Sequence, residues 1–342
     1  MGRFSANRYP VSLSVLLAPI IATALLGTVL AGPMLPLRYQ RRVPDVDGDG
    51  RPDPVIWRLP SSGVVSNATF YAATSSSSYR NSVAYQLGAS GDTPVPADYD
   101  GDGKVDFAVY RPFYINTWFI LLSSQNYTAT ATYQWGLEDI PVPGDYDGDG
   151  RTDIAVFRPG DGGWYILQGG TNFKTAFAVF WGGTLDSTPV PGDYDGDGRL
   201  DVALYVPNAL NTGSAVWYIL QGGLNFRSAF SVTFGGNTDV PVPGDYDGDG
   251  KLDLGVYTSA TSTFTVRYQS SRYTTGFSRQ WGISGDIPVP ADYDGDGRLD
   301  IAVFRAENGT YYVLQGSSNF TTAFSRAMPV GGTAVDVPVL AP

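Results

Sequence analysis

The apolar residues of this chain fall in short bursts separated by small polar turns. One unit shows the pattern. "IPVPGDY" (140–146) is an extended run that leads into a turn crowded with aspartate and glycine. "IAVFRP" (154–159) follows and is stopped by "GDGG". "WYILQ" (164–168) comes next, and "GGTNF" turns the chain into "FAVFWGG" (177–183). β-Branched and aromatic residues fill the runs while Gly, Pro, Asn and Asp separate them, which predicts four short strands joined by tight turns. Beyond residue 31 no stretch of about ten residues carries helical periodicity.

The unit recurs. The first aspartates of its acidic turns are Asp45, Asp98, Asp145, Asp193, Asp245 and Asp292, spaced by 53, 47, 48, 52 and 47 residues. A period near fifty marks a repeat architecture, each repeat being one supersecondary unit. Four antiparallel strands repeated six times predict an all-β fold, a β-propeller of six four-stranded blades. The blades span about 38–90, 91–138, 139–185, 186–238, 239–285 and 286–335. A pair of β-sandwiches would leave so regular a period unexplained.

Prolines orient each blade. In "PVP", Pro141 and Pro143 lie two apart, so both missing N–H groups face one edge of the strand. That edge cannot pair further and is expected to line the central channel. The doublet is also present at Pro94/Pro96, Pro189/Pro191, Pro241/Pro243 and Pro288/Pro290. The first blade lacks it, with "RRVP" (41–44). After the sixth, the chain runs on as "DVPVLAP" (336–342), an extra inner strand with Leu340 at the second proline position. These two unblocked strands are expected to meet where the ring closes. Seven positions with one incomplete blade, or a tail strand donated to another molecule, are the alternatives.

Residues 1–31 have the form of a targeting segment: Arg3 and Arg8 first, an apolar stretch over 11–30, then "TVLAG" with Val29 and Ala31 at the small-residue positions of a cleavage site. The stretch is long for a signal peptide, and an uncleaved membrane anchor is the alternative. Either way the remainder is expected outside the cell or on its surface.

The acidic turns carry the chemistry. Counted from its first aspartate, each places carboxylates at loop positions 1, 3, 5 and 9 and a basic residue, whose carbonyl is a further candidate ligand, at position 7. The expected ligand sets are Asp45, Asp47, Asp49, Arg51 and Asp53; Asp98, Asp100, Asp102, Lys104 and Asp106; and Asp145, Asp147, Asp149, Arg151 and Asp153. The later blades give Asp193, Asp195, Asp197, Arg199 and Asp201; Asp245, Asp247, Asp249, Lys251 and Asp253; and Asp292, Asp294, Asp296, Arg298 and Asp300. Alternate residues of a tight loop point inward, so this spacing gathers oxygens around one point, as calcium requires; magnesium prefers a strict octahedron with retained waters. Asp-Gly pairs are ordinary turn formers, but turn formation alone does not call for an aspartate at position 9 in all six copies. An EF-hand would need a glutamate at position 12, where this chain has Ile56, Val109, Val156, Leu204, Val256 and Val303. The loops hold 24 of the 33 acidic residues, and six calcium ions, one per loop, would cancel the net charge of −11. Six further aspartates precede the inner strands, at 92, 139, 186, 239, 286 and 336.

These loops, with the "D-x-P-V-P" lead-in, resemble FG-GAP/VCBS repeats, the blades of propellers of the integrin α-subunit type. The resemblance covers 38–342. It implies calcium in each loop, held by the four aspartates of each phrase and stiffening the hairpin of strands one and two. It also implies work in cell adhesion, carbohydrate binding or as an accessory module of a secreted enzyme.

Activity is less legible. With no cysteine and no histidine, thiolate and imidazole chemistry is absent. The three remaining acids, Glu138, Asp161 and Glu307, lie in different blades without a motif, so no catalysis is expected. No basic cluster points to nucleic acid. The expected role is binding an extracellular protein or glycan, with a surface-layer or fibre subunit joined through 336–342, or the non-catalytic-looking propeller of a polysaccharide-active enzyme, as the alternatives. Trp118, Trp164 and Trp217 share one repeat position, and Trp135, Trp181 and Trp281 another, which predicts packing between blades rather than sugar platforms. Tyr114, Arg272 and Tyr273 are the candidate contacts specific to one blade.

Overall fold

The computed structural model describes residues 8–10, 44–49, 51–59, 67–112, 115–182, 186–207, 209, 212–223, 225–330, 332–333 and 336–340. They form six antiparallel sheets, each with four strands of the propeller. In the third blade, Ile140–Pro141, Ile154–Arg158, Gly163–Leu167 and Ala176–Phe180 lie side by side in chain order, and the other blades follow the same plan. Residues Arg8–Pro10 add a fifth strand outside Ala176–Phe180, with Tyr9 opposite Ala178. The rest of the leader lies outside the described residues, among which no helix is long and apolar enough to cross a membrane.

The inner strands show why the proline doublet works. Val142 donates its N–H to Ala155 O at 2.8 Å, as Val95 does to Ala108 and Val190 to Ala203. The intervening valine therefore faces the second strand, and the prolines on either side turn their donorless nitrogens to the open edge.

Ring closure uses two segments far apart in sequence, 336–339 and the chain from Pro44, at a single strand position. Asp336–Val339 pairs with Val55–Arg58, setting Pro338 opposite Ile56 as Pro141 stands opposite Val156. Downstream, Asp53 N–H donates to Pro44 O, as Asp106 does to Ala97 O. The C-terminal segment thus supplies the upstream part of blade one's inner strand, and the chain from Pro44 supplies its continuation into the acidic loop. Six blade positions result. The last strand is used within its own chain rather than standing free.

The core lies between blades. Six clusters of buried residues each join two successive blades, and one of them (Ile56, Ala73, Phe304, Tyr311, Val313, Leu340) spans the closure between blades six and one. Trp57, Trp118, Trp164 and Trp217 are fully buried, Trp135 and Trp181 nearly so, and Trp281 is half-buried. Their indole N–H groups are satisfied by carbonyls. Trp164 donates to Trp181 O within its own blade at 3.1 Å, and Trp135 donates to Tyr165 O of the next at 3.0 Å. Packing between blades is what these tryptophans do.

The aspartates ahead of the inner strands meet an arginine nineteen residues on. Arg111, Arg158 and Arg305 donate through Nε and Nη2 to both oxygens of Asp92, Asp139 and Asp286 at 2.7–2.8 Å. Each guanidinium also lies over a third-strand ring, Phe119, Tyr165 or Tyr312, at 4.4–4.7 Å. The fork fits a carboxylate bidentately, and its flat face covers the ring. In blade five Thr258 replaces the arginine and donates its hydroxyl to Asp239; in blade four Ser187 and Val206 hold the two positions, and Asp186, one residue earlier, is exposed.

Candidate metal centres

The six acidic loops lie at one end of the ring, with the turns joining third to fourth strands. In each loop the position-1 carboxylate sets the backbone. In blade three, Asp145 Oδ1 accepts from Gly148 N (2.6 Å) and Asp149 N (3.1 Å), and Oδ2 accepts from Gly150 N (2.8 Å). Gly148 and Gly150 have φ of 77° and 86°, a region that glycine enters without penalty.

The position-9 carboxylate is buried and acts as a staple. Asp153 Oδ2 accepts from Tyr146 N at 3.0 Å, and Oδ1 accepts from Gly169 N at 2.8 Å in the turn between strands three and four. Asp106, Asp201, Asp253 and Asp300 make the same two bonds, to the position-2 N–H and to Ser123, Gly222, Gln269 or Gly316. Asp53 binds Val46, Asp47 and Ser75. Burial pushes these carboxyls up from 3.8, against the pull of the backbone donors. Asp53 and Asp106 reach about 6, Asp201, Asp253 and Asp300 about 7, and Asp153 about 8. Desolvation outweighs hydrogen bonding here, and neighbouring carboxylates add to the rise.

Position 3 faces the same turn. Its Oδ2 accepts from Ser76 in blade one, Ser124 in two, Gln168 in three, Gln221 in four, Ser270 in five, and Gln315 and Ser317 in six. Position 5 accepts the N–H of position 7, as Asp149 does from Arg151 at 2.9 Å, and Asp49 and Asp102 also accept the hydroxyls of Ser75 and Ser123.

Oxygens of positions 1, 3 and 9 converge to within 4.8 Å in Asp45/Asp47/Asp53, Asp98/Asp100/Asp106, Asp145/Asp147/Asp153 and Asp245/Asp247/Asp253; in blade four positions 1, 3 and 5 do so (Asp193, Asp195, Asp197). Within these groups Oδ1 of Asp147, Asp195 and Asp247 is buried and accepts no hydrogen bond. A buried carboxylate oxygen without a donor is costly, and a bound cation relieves that cost. The donor set is all oxygen, as hard divalent ions require. These groups can hold a metal ion.

The turn facing the loops was not legible as part of the site. It puts two consecutive residues at positive φ in every blade: Ser78/Tyr79, Asn126/Tyr127, Asn172/Phe173, Asn225/Phe226, Arg272/Tyr273 and Asn319/Phe320. Tyr273 is therefore not specific to its blade. It is the repeated aromatic, 8% exposed, with its ring 6.1 Å from that of Phe230. Arg272 is exposed on the loop side, and Tyr114 lies outside the described residues. A recurring aromatic after each third strand, preceded by Asn in four of the six blades, was the signal, hidden by the change between Tyr and Phe.

Fold and loops together define a β-propeller with acidic hairpin loops. An FG-GAP-like repeat model matches residues 45–109 and 145–204, and the same loop, staple and turn recur in the remaining blades; the chain is an FG-GAP repeat propeller. Among solved structures it is similar to a lectin from Agrocybe aegerita described for specific recognition of non-reducing terminal N-acetylglucosamine. The identity is 14% and the TM-score 0.53, over 86% of this chain and 96% of that one. That likeness is one of fold. No curated protein matches the chain.

Proposed function

We propose that this chain is a secreted propeller whose six acidic loops each take a calcium ion, and whose opposite face binds an extracellular protein or glycan. Calcium would neutralise converging carboxylates and fix each loop against its turn. The observation that carries the reading is the division of labour between the two ends of the ring. The loop end repeats one arrangement six times. At the other end, the turns after second strands and the links after fourth strands differ from blade to blade. Among the described residues the exposed large apolar side chains, Ile115 (57%), Leu137 (38%) and Ile283 (53%), all belong to that end. Exposed apolar groups on a rigid, variable face suit recognition.

The lectin neighbour uses a propeller for a sugar, which makes glycans the first ligands to try. A fibre subunit joined by 336–342 has less support, since that strand completes blade one. The test is a glycan array and an extracellular-protein array, each probed in calcium and in chelator, with the triple variant Ile115→Asp, Leu137→Asp, Ile283→Asp alongside. Binding that is lost in the variant supports the reading. Binding that the variant retains, or no binding on either array, sinks it.

A further inference from the structure

The six acidic loops are linked to one another, and the links form a series with two ends. The position-8 N–H of each blade donates to the position-1 carbonyl of the blade before it. Val105 donates to Asp45 O (3.2 Å), Thr152 to Asp98 O (3.0 Å), Leu200 to Asp145 O (2.9 Å), Leu252 to Asp193 O (3.1 Å) and Leu299 to Asp245 O (2.8 Å). A second contact accompanies each. The position-7 side chain lies against the position-4 glycine of the preceding loop. A Cβ placed on Gly101, Gly148, Gly196 or Gly248 would come within 2.8–3.0 Å of Arg151, Arg199, Lys251 or Arg298, and one on Gly48 would run into Lys104. Each of these five loops thus has its first ligand's carbonyl pinned and a basic side chain laid across its middle, both supplied by its neighbour.

Between blades six and one both contacts fail. Position 8 of blade one is Pro52, which has no N–H to give the Asp292 carbonyl, and no described backbone N–H donates to it. A Cβ on Gly295 would meet nothing within 4 Å, so Arg51 does not lie across it. The two absences are independent, one of backbone and one of side chain, and they fall on the same loop.

We propose that the position-8 N–H and the packed position-7 side-chain stem of blades two to six each position the ion loop of the blade before, so that loop 292–300, which lacks both, holds its ion least tightly. The inference rests on the reading that the loops bind calcium. Pre-organisation by one hydrogen bond and one packed side-chain stem makes a difference of about five- to tenfold in affinity. The same loop is the least restrained before any ion arrives, and its amides exchange faster than those of 145–153.

The experiment pairs calorimetric calcium titration of ion-free full-length protein with hydrogen exchange of the loops in chelator. Five tight sites and one about five- to tenfold weaker are expected, with 292–300 the fastest-exchanging loop. Pro52→Leu supplies the missing N–H in the form Leu200 and Leu299 already have. It should tighten the weak site and slow exchange in 292–300. Arg298→Ser, which removes the packed stem, should speed exchange in 245–253 in chelator without touching its carboxylates. Six equal sites with equal exchange, or a Pro52→Leu protein unchanged at 292–300, overturn the proposal. Absence of any calcium heat overturns the ion reading instead, and the exchange contrast in chelator then decides the link between loops by itself.

Discussion

Arg58 and Asp336 stand 278 residues apart in sequence and meet as a bidentate pair, Nε to Oδ1 at 2.7 Å and Nη2 to Oδ2 at 2.8 Å. The pair sits beside the ladder that closes the ring. Asp336's side chain is fully buried, while Arg58's is 20% exposed and lies over Tyr71. The geometry repeats that of Arg158 with Asp139 inside a single blade, yet here it ties the chain's last strand to its first blade.

Removing one member of a buried pair strands the other. Arg58→Gln should cost roughly 2–4 kcal/mol, read by urea unfolding followed through tryptophan fluorescence. Because the partner strand comes from the far end of the chain, the variant should also expose 336–339 to exchange before the other blades open, whereas Arg111→Gln should loosen only blade two. Equal and local effects in both variants would remove the special role given to Arg58.

Ion removal should be costly. At tenfold over its dissociation constant each site contributes about 1.4 kcal/mol, so six give about 8 kcal/mol, comparable with the ~5–15 kcal/mol stability of a typical domain. Melting in calcium and in chelator should differ by many degrees. Superimposable curves would leave the loops as turns and nothing more.

The pH response of the ion-free protein has a definite sign. Burial raises the position-9 carboxyls from 3.8 to about 6 for Asp106, about 7 for Asp201 and about 8 for Asp153. The folded chain therefore holds these protons more tightly than the unfolded chain does. Their contribution is fully present below about pH 4 and is lost as pH rises through about 6–8. Stripped of ions, the protein should melt at a higher temperature at pH 5 than at pH 8. With calcium in excess the trend should reverse, because protons compete for the same oxygens. Parallel slopes in the two series would contradict the assignment.

Asp153→Asn separates staple from ligand. The amide can accept only one of the two N–H groups from Tyr146 and Gly169 and turns its own NH2 toward the other. A loss of about 1–3 kcal/mol is expected with or without calcium. Asp149→Asn, at an exposed position 5, should act only when calcium is present. If Asp153→Asn is silent in chelator, the staple is not structural.

Much of this could be read from the chain. The fifty-residue period counted six units that must bury their faces against neighbours, while the choice between six and seven positions waited on the structure. The "PVP" doublets told which strand is innermost, since a missing donor has one geometric meaning. What stayed hidden was pairing across repeat boundaries. Asp139 and Arg158 each look like an ordinary surface charge until the sheet sets strand one's start beside strand two's end. Residues 336–342 read as an extra strand meeting the first blade at ring closure, and 336–339 do so, but that they share one strand position with the chain from Pro44 depends on how many blades fill the circle. Tyr273 was misjudged because its equivalents alternate between Tyr and Phe, and a positive φ leaves no reliable trace in a single residue.

The completion of blade one by residues 336–339 bears on how the molecule is made. A nascent chain emerging from the ribosome can form the second to sixth sheets in order, but the first must wait, one flank bare, until residues 336–339 have emerged. Until then Val55–Arg58 presents an unmatched edge beside apolar side chains, the hazard that folding helpers exist to shield. Stalled or clipped translation products should therefore stick together and be cleared rather than accumulate as partly working shorter forms.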